Sequence, residues 1–373
     1  MKIMHLGDLH IGKKINGHLL LDDQKFMIDQ YIKIIDEKQF DVVIIAGDVY
    51  DRSIPSIEAI QLFEYFVKAV NVERNIPLFV VTGNHDGASR MMFGHQFFKD
   101  HAFYLNASIQ QAFQPVALDD VHFYLVPYID TDVAKYYFKD ETLKTHGQVY
   151  QRIIEAISDV LDDTKQNVLV SHLFITGSET TDSEKELSIG TIDNVDVNMF
   201  KPFDLVLLGH LHHPFALTHD RVFYSGSMLK FSFSEVNQPK GYRYIEYINN
   251  EWKVQFVPIA PKTDMEHIVS DFDAIITKKV TPKNPNSYIK FELSGLHLTT
   301  DPMRRLKEMY PNTLELKPIV EAIDEVKAVV DVMNKTDFEI IASFYESFHQ
   351  NPLSTHQVET IQRILKEVQH ETD

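Results

Sequence analysis

The chain has 373 residues, with 36 Lys+Arg against 54 Asp+Glu for a net charge of −18, and at about 150 residues per domain it has room for two or three domains. Its 44% hydrophobic and 24% charged residues exclude wholesale disorder, and the absence of Cys excludes disulfides, zinc–thiolate and iron–sulfur sites and Cys nucleophiles. No apolar run approaches the roughly 18 residues of a membrane span and the N-terminus turns polar at Gly7-Asp8, so a cytoplasmic protein without a membrane association is expected, while the acidity taken alone argues against a nucleic-acid partner.

Lys2–Leu6 reads as a strand, and the apolar spacing from about Leu19 to Ile35 predicts a helix without internal Pro or Gly. Val42–Ala46 is an apolar run ending in Gly47-Asp48, the pattern of a strand buried on both faces. Ser56–Val70 predicts a second helix with Ser56 as N-cap, and Leu78–Val81 a strand running into Thr82-Gly83-Asn84-His85-Asp86. Further strands are expected at Phe123–Val126, Asn167–Val170, Leu205–Leu208 and Val222–Tyr224. Tyr242–Tyr247 and Trp252–Val257 then read as a hairpin turning at Asn249-Asn250. Strand–helix alternation points to a layered α/β fold with a largely parallel central sheet.

Pro258 and Pro261 mark a boundary, giving a first domain over 1–264. Residues 265–320 read as a small α+β domain with a helix at Pro302–Met309. Residues 321–373 read as a linker followed by two amphipathic helices, Asp337–His349 and Ser354–Gln369. Net charge divides into −12, +1 and −7 over the three segments. In the tail, Phe338, Ile341, Phe344, Tyr345 and Phe348, then Val358, Ile361, Ile364, Leu365 and Val368, form two apolar stripes, open to core packing or to docking on a partner.

Ligand-type residues stand where the apolar runs end: Asp8 and His10, Asp48, Asn84 with His85 and Asp86, His172, then His210 and His212. Ligands of α/β sheets bind outside the carboxyl ends of strands. Taken singly, each has an ordinary reading: a hydrogen-bonded His, a turn Asp, an Asn in a left-handed turn. Their conjunction in this order decides for a metal centre. Imidazole mixed with hard oxygen donors suits Mn²⁺, Fe²⁺ or Zn²⁺. Seven ligands exceed the needs of one ion, so a pair of ions sharing a carboxylate is expected, the usual device for in-line displacement at phosphorus.

Gly7-Asp8-Leu9-His10, Gly47-Asp48-Val49-Tyr50-Asp51-Arg52, Gly83-Asn84-His85-Asp86, Ser171-His172 and Gly209-His210-Leu211-His212 resemble the motifs of the calcineurin-like metallophosphoesterase superfamily. The run Gly47–Pro55, the C-terminal extension and Tyr224-Ser225-Gly226-Ser227 look like the SbcD family, bacterial nuclease subunits related to the eukaryotic double-strand-break repair exonuclease. That resemblance implies a fold of β-sheets flanked by helices with a small DNA-capping domain and C-terminal helices. It implies one metal on Asp8, His10 and His212, a second on Asn84, His172 and His210, and Asp48 bridging them. Manganese is the expected metal. His85 would contact the scissile phosphate or protonate the leaving oxygen. Asp86 can orient His85 or cap the next helix; both readings stand.

Arg52 and Arg90 are candidate DNA contacts, each also readable as an ordinary surface arginine, and Lys278 and Lys279 belong to a basic cluster on the small domain. Gly87-Ala88 departs from the more polar continuation expected after Asp86. Met91, Met92, Phe93, Phe97 and Phe98, beside Phe63, Phe66 and Val67, are open to subunit pairing or to burial in the monomer. The resemblance implies 3′→5′ exonuclease activity on duplex DNA and endonuclease activity on single strands and hairpins, in replication, recombination and repair. Partners would be DNA, an SbcC-type ATPase with a long coiled coil, and a second copy, in a heterotetramer. The alternatives are a metallophosphoesterase of phosphoproteins or small phosphodiesters, and a mainly structural DNA-binding subunit. Asp86 and Ser53 stand where protein phosphatases carry Glu and Gly, and the filled ligand set counts against a structural role.

Overall fold

The computed structural model describes residues 1–184, 194–296, 299–319, 335–349 and 351–370. The first sheet is begun by β1 (Lys2–Leu6), β2 (Val42–Ala46), β3 (Leu78–Val81) and β4 (Phe103–Asn106), paired in parallel in that order. A second sheet contains β5 (Val116–Leu118), β6 (Val121–Val126), β7 (Gln166–His172), β8 (Leu205–Gly209) and β9 (Val222–Tyr224), parallel except for β5 against β6. The chain then returns to the first sheet, where β10 (Gly241–Ile248) pairs antiparallel with β1 and with β11 (Glu251–Pro258). Asn249 (φ 52°) and Asn250 (φ 64°) make the tight turn between them, a conformation Asn tolerates well.

The largely parallel central sheet read from the strand pattern is two sheets packed face to face, in keeping with the β-sheets flanked by helices that the resemblance implies. Val42, Ile44 and Ala46 of β2 meet Phe123, Val168, Val170 and Leu207 of the second sheet in one dry layer. Val43 and Ile45, on the opposite face of β2, pack on helices α1 (Leu21–Lys38) and α2 (Ile57–Val67). The second sheet does the same with α3 (His146–Ser158), through Leu169, Val206 and Leu208 against Val149, Ile153 and Ile157. β2, β7 and β8 are thus buried on both faces, and the run alone does not say which sheet it joins. Ser56 caps α2 by accepting from the Ala59 N–H at 3.3 Å, and Asp22, Asp23 and Lys38 complement the dipole of α1.

Beyond Pro261, β12 (Met265–Asp271), β13 (Tyr288–Ser294) and β14 (Thr313–Pro318) form a parallel sheet with its own core of Phe272, Ile275, Phe291, Leu293 and Leu306, the last on helix α4 (Pro302–Met309). It docks on the first unit through Tyr288, whose hydroxyl donates to Asp23 at 2.8 Å and meets His18 at 2.9 Å, and through Lys230–Asp264 at 2.6 Å. Helices α5 (Asp337–His349) and α6 (Thr355–His370) are joined by the Gln357 side chain donating to the Tyr345 hydroxyl, and Phe344 is left 60% exposed. The expected linker at 321–334 and the side chains of Phe348 and Val368 lie outside the described residues. Met91, Met92 and Phe98 pack against the first core, whereas Phe93 and Phe97 are 88% and 77% exposed. Among the described residues, no helix is long and apolar enough to cross a membrane.

Candidate metal centre

The carboxyl ends of β1, β2 and β3 in one sheet and of β7 and β8 in the other meet along one edge. Four candidate ligands there are held at positive φ: Asp8 (50°), His10 (43°), Asp48 (49°) and His210 (102°). Non-glycine residues in that region carry strain, and its concentration here marks a place where geometry is over-determined. The glycines of the motifs have a steric cause. A Cβ on Gly47, which itself sits at φ 87°, would strike the His172 ring, and one on Gly83 would strike the Asp48 carboxylate. Gly47→Ala is therefore expected to displace His172. Thermal unfolding should show a loss of at least about 1–2 kcal/mol, and titration with a divalent ion weaker binding than in the wild type.

All seven candidate ligands are brought together. His10 Nε2 and His212 Nε2 face each other at 3.2 Å, and ligand atoms of Asp8, His10 and His212 lie within 4.8 Å of one another. Asn84 Oδ1 is 3.0 Å from His172 Nε2 and 3.2 Å from His210 Nδ1. Between the two groups, Asp48 Oδ2 is 3.5 Å from His10 Nε2 and 3.3 Å from His172 Nε2. Asp8, Asp48, His10, His172 and His212 are all buried. The His172 Nδ1–H donates to the Ala46 carbonyl at 2.9 Å, which leaves Nε2 as the ring's donor atom.

The buried carboxylates favour positive charge at His172. Burial opposes charge on His172, but Asp48 and then Asp8 outweigh it and push the ring up to about 9. Burial holds His210 down to about 3, reinforced by His172. Burial raises Asp8 to about 6 against the pull of His172 and His212. Two ring nitrogens face to face are reconciled by one shared proton or one shared cation. A set of imidazole and oxygen donors without thiolate fits a divalent ion such as Mn²⁺, Fe²⁺ or Zn²⁺.

His85 lies beside this cluster, its ring centroid 4.8 Å from that of His10. Its Nδ1–H donates to the Asp51 carbonyl at 2.9 Å, and its backbone N–H donates to Asp48 Oδ1 at 2.9 Å. Asp86 makes neither contact considered for it. Its carboxylate accepts the backbone N–H groups of Val49 (3.2 Å), Tyr50 and Gly83 (both 2.9 Å), tying the Asp48 loop to the Asn84 loop. Burial, then the charge of Asp48, raise Asp86 to about 7.

Arg52 stands exposed at the rim, 3.8 Å from Asp51. Arg90 lines an apolar groove of about 710 Å³ with Ile54, Phe63, Met91 and Phe93. Lys278 and Lys279 are exposed after the short helix Phe272–Ile276, on the third sheet's unit. Sequence reasoning missed the support behind His212. Buried Glu235 meets His212 Nδ1 at 3.2 Å and buried Lys240 at 2.6 Å, and Glu184 accepts the His212 backbone N–H. A lone Glu and a lone Lys in a loop carry no periodic or motif signal.

A family model described as Calcineurin-like phosphoesterase matches residues 1–214, and one described as Type 5 capsule protein repressor C-terminal domain matches residues 261–348. The D-subunit of nuclease SbcCD from Staphylococcus epidermidis (strain ATCC 12228 / FDA PCI 1200) is 40% identical over 366 residues, 98% of each chain. Among solved structures, TT1561 of Thermus thermophilus aligns at 10% identity and a TM-score of 0.38, over 68% of this chain and 98% of that one. The phosphoesterase Yfce from E. coli aligns at 15% identity and 0.33, over 70% and 98%. The chain belongs to the calcineurin-like phosphoesterase family and, within it, to the SbcD nuclease subunits.

Proposed function

We propose that the chain is the nuclease subunit of an SbcCD-type complex, a two-metal phosphodiesterase acting on DNA ends and hairpins, 3′→5′ on duplexes and endonucleolytically on single strands. The observation that carries this reading is the convergence of seven ligand-type side chains on one sheet edge beside His85. Asp8, His10 and His212 would hold one ion, Asn84, His172 and His210 the other, with Asp48 between them; manganese suits the donors. Bound divalent ions supply Lewis-acid activation and neutralise charge in displacement at phosphorus. His85, with Nδ1–H committed to the Asp51 carbonyl, would act from its imidazolium form, giving the Nε2 proton to the leaving oxygen and returning to the neutral Nδ1–H ring. The Asp86 carboxylate keeps the two loops in register while this happens.

The charge objection weakens on this reading. Two divalent ions would add positive charge beside the scissile phosphate, and the acidic tail would face a protein. Arg52, Arg90, Lys278 and Lys279 would contact DNA, residues 265–320 would cap it, and the exposed faces of Phe93 and Phe97 would pair with a second copy. Residues 321–373 would dock the SbcC-type ATPase in a cytoplasmic heterotetramer. Truncation after residue 320 is expected to abolish binding of the ATPase in gel filtration while both metals stay bound; survival of the complex would refute the docking role.

A panel of Mn²⁺ with end-labelled duplex DNA, a phosphopeptide and a cyclic nucleotide tests the substrate. Degradation of the duplex is expected, and turnover of only the other two would favour a phosphatase or small-molecule phosphodiesterase.

A further inference from the structure

The two halves of the cluster differ in what stands behind their histidines. Behind His212, Glu235 Oε1 lies 3.2 Å from Nδ1 and accepts the Ser183 hydroxyl at 2.6 Å. With its proton committed to Glu235, Ser183 Oγ, 3.0 Å from the same Nδ1, is left as a second acceptor. The Nδ1 of His212 therefore carries the ring proton, and Nε2 is presented to the site. Glu235 is itself fixed by Lys240, whose ammonium lies 2.6 Å from Oε2 and also donates to the His212 carbonyl at 2.9 Å and to the Ser227 hydroxyl at 2.8 Å. One buried ion pair thus grips both the ring and the backbone of His212.

His10, in the same half, has Asp51 Oδ1 3.8 Å from its Nδ1, too far for a hydrogen bond and no closer than Asp8 stands to His172 Nδ1 at 3.9 Å, so the difference between the halves rests on His212. In the other half, His172 is backed by the neutral Ala46 carbonyl, and Asn84 offers an uncharged oxygen. Carboxylate-backed imidazoles are stronger donors and are locked in orientation, and loss of such a partner costs about 10–100-fold in metal affinity.

We propose that Glu235, clamped by Lys240, is the positioning residue of His212 and makes the half built from Asp8, His10 and His212 the tighter of two divalent-ion sites. This rests on the reading that the cluster holds two ions. Calorimetric titration of the metal-free chain with Mn²⁺ tests it. The wild type is expected to show two classes of site, and Asn84→Ala to remove only the weaker one. Glu235→Gln is expected to weaken the tighter class about 10–100-fold and to leave the weaker class in place.

Glu235→Gln leaves Lys240 buried without its partner charge, so the double variant Glu235→Gln/Lys240→Met, which buries no charge, serves as the second case and should show the same loss. An unchanged tighter class in a variant with native near-UV circular dichroism would overturn the proposal. Loss of the tighter class in Asn84→Ala would overturn it equally. Fewer than two Mn²⁺ bound by the wild type would defeat the two-ion reading and this proposal with it.

Discussion

Asp48→Asn is expected to lower Mn²⁺-dependent DNA hydrolysis by about 10²–10³-fold, the scale of removing a group that organises charge at a transition state. Asp48 is the carboxylate that reaches His10 in one half and His172 in the other, and it also accepts the His85 N–H. Asn keeps the volume and an acceptor for that N–H, so the fold should survive. His172, held up by Asp48, would simply return its proton to solvent and leave no unpaired buried charge. Metal analysis should find one ion or none, against two in the wild type. Activity within tenfold of wild type would show that Asp48 does not join the two halves.

His85→Gln should separate chemistry from metal binding. His85 touches Asp48 only through its backbone, and its ring hangs from the Asp51 carbonyl. Both ions should bind as in the wild type while exonuclease activity falls about 10²–10⁴-fold, the range for loss of a general acid. The loss should shrink on bis-p-nitrophenyl phosphate, whose leaving group departs without a proton. Loss of a metal ion instead would make His85 a ligand, and an equal loss on both substrates would make it a phosphate contact.

The site was legible in the sequence to the extent that the ligands follow apolar runs, with a Gly leading every ligand motif except that of His172, which Ser171 precedes. The structure gives that pairing a cause: strand ends from two sheets crowd so closely that Gly47 and Gly83 have no room for a Cβ beside His172 and Asp48. Helix α2 was legible for a similar reason, since Ser56 is both a turn residue and its cap. The division into two sheets was not, because Val42–Ala46 is apolar on both faces whether it meets a helix or another sheet. Asp86 was misplaced because its partners are backbone N–H groups from Val49 and Tyr50, remote in sequence and without side-chain signature. Glu235 and Lys240 were invisible for the same reason: their pairing with His212 exists only once β8 and the loop after β9 have folded together.

The central claim is that these seven side chains form a two-ion centre. Anomalous diffraction at the manganese edge from Mn²⁺-soaked crystals tests it most directly. Two peaks are expected, one among Asp8, His10 and His212 and one among Asn84, His172 and His210, with Asp48 in contact with both. A single peak, or peaks away from these residues, would contradict the account.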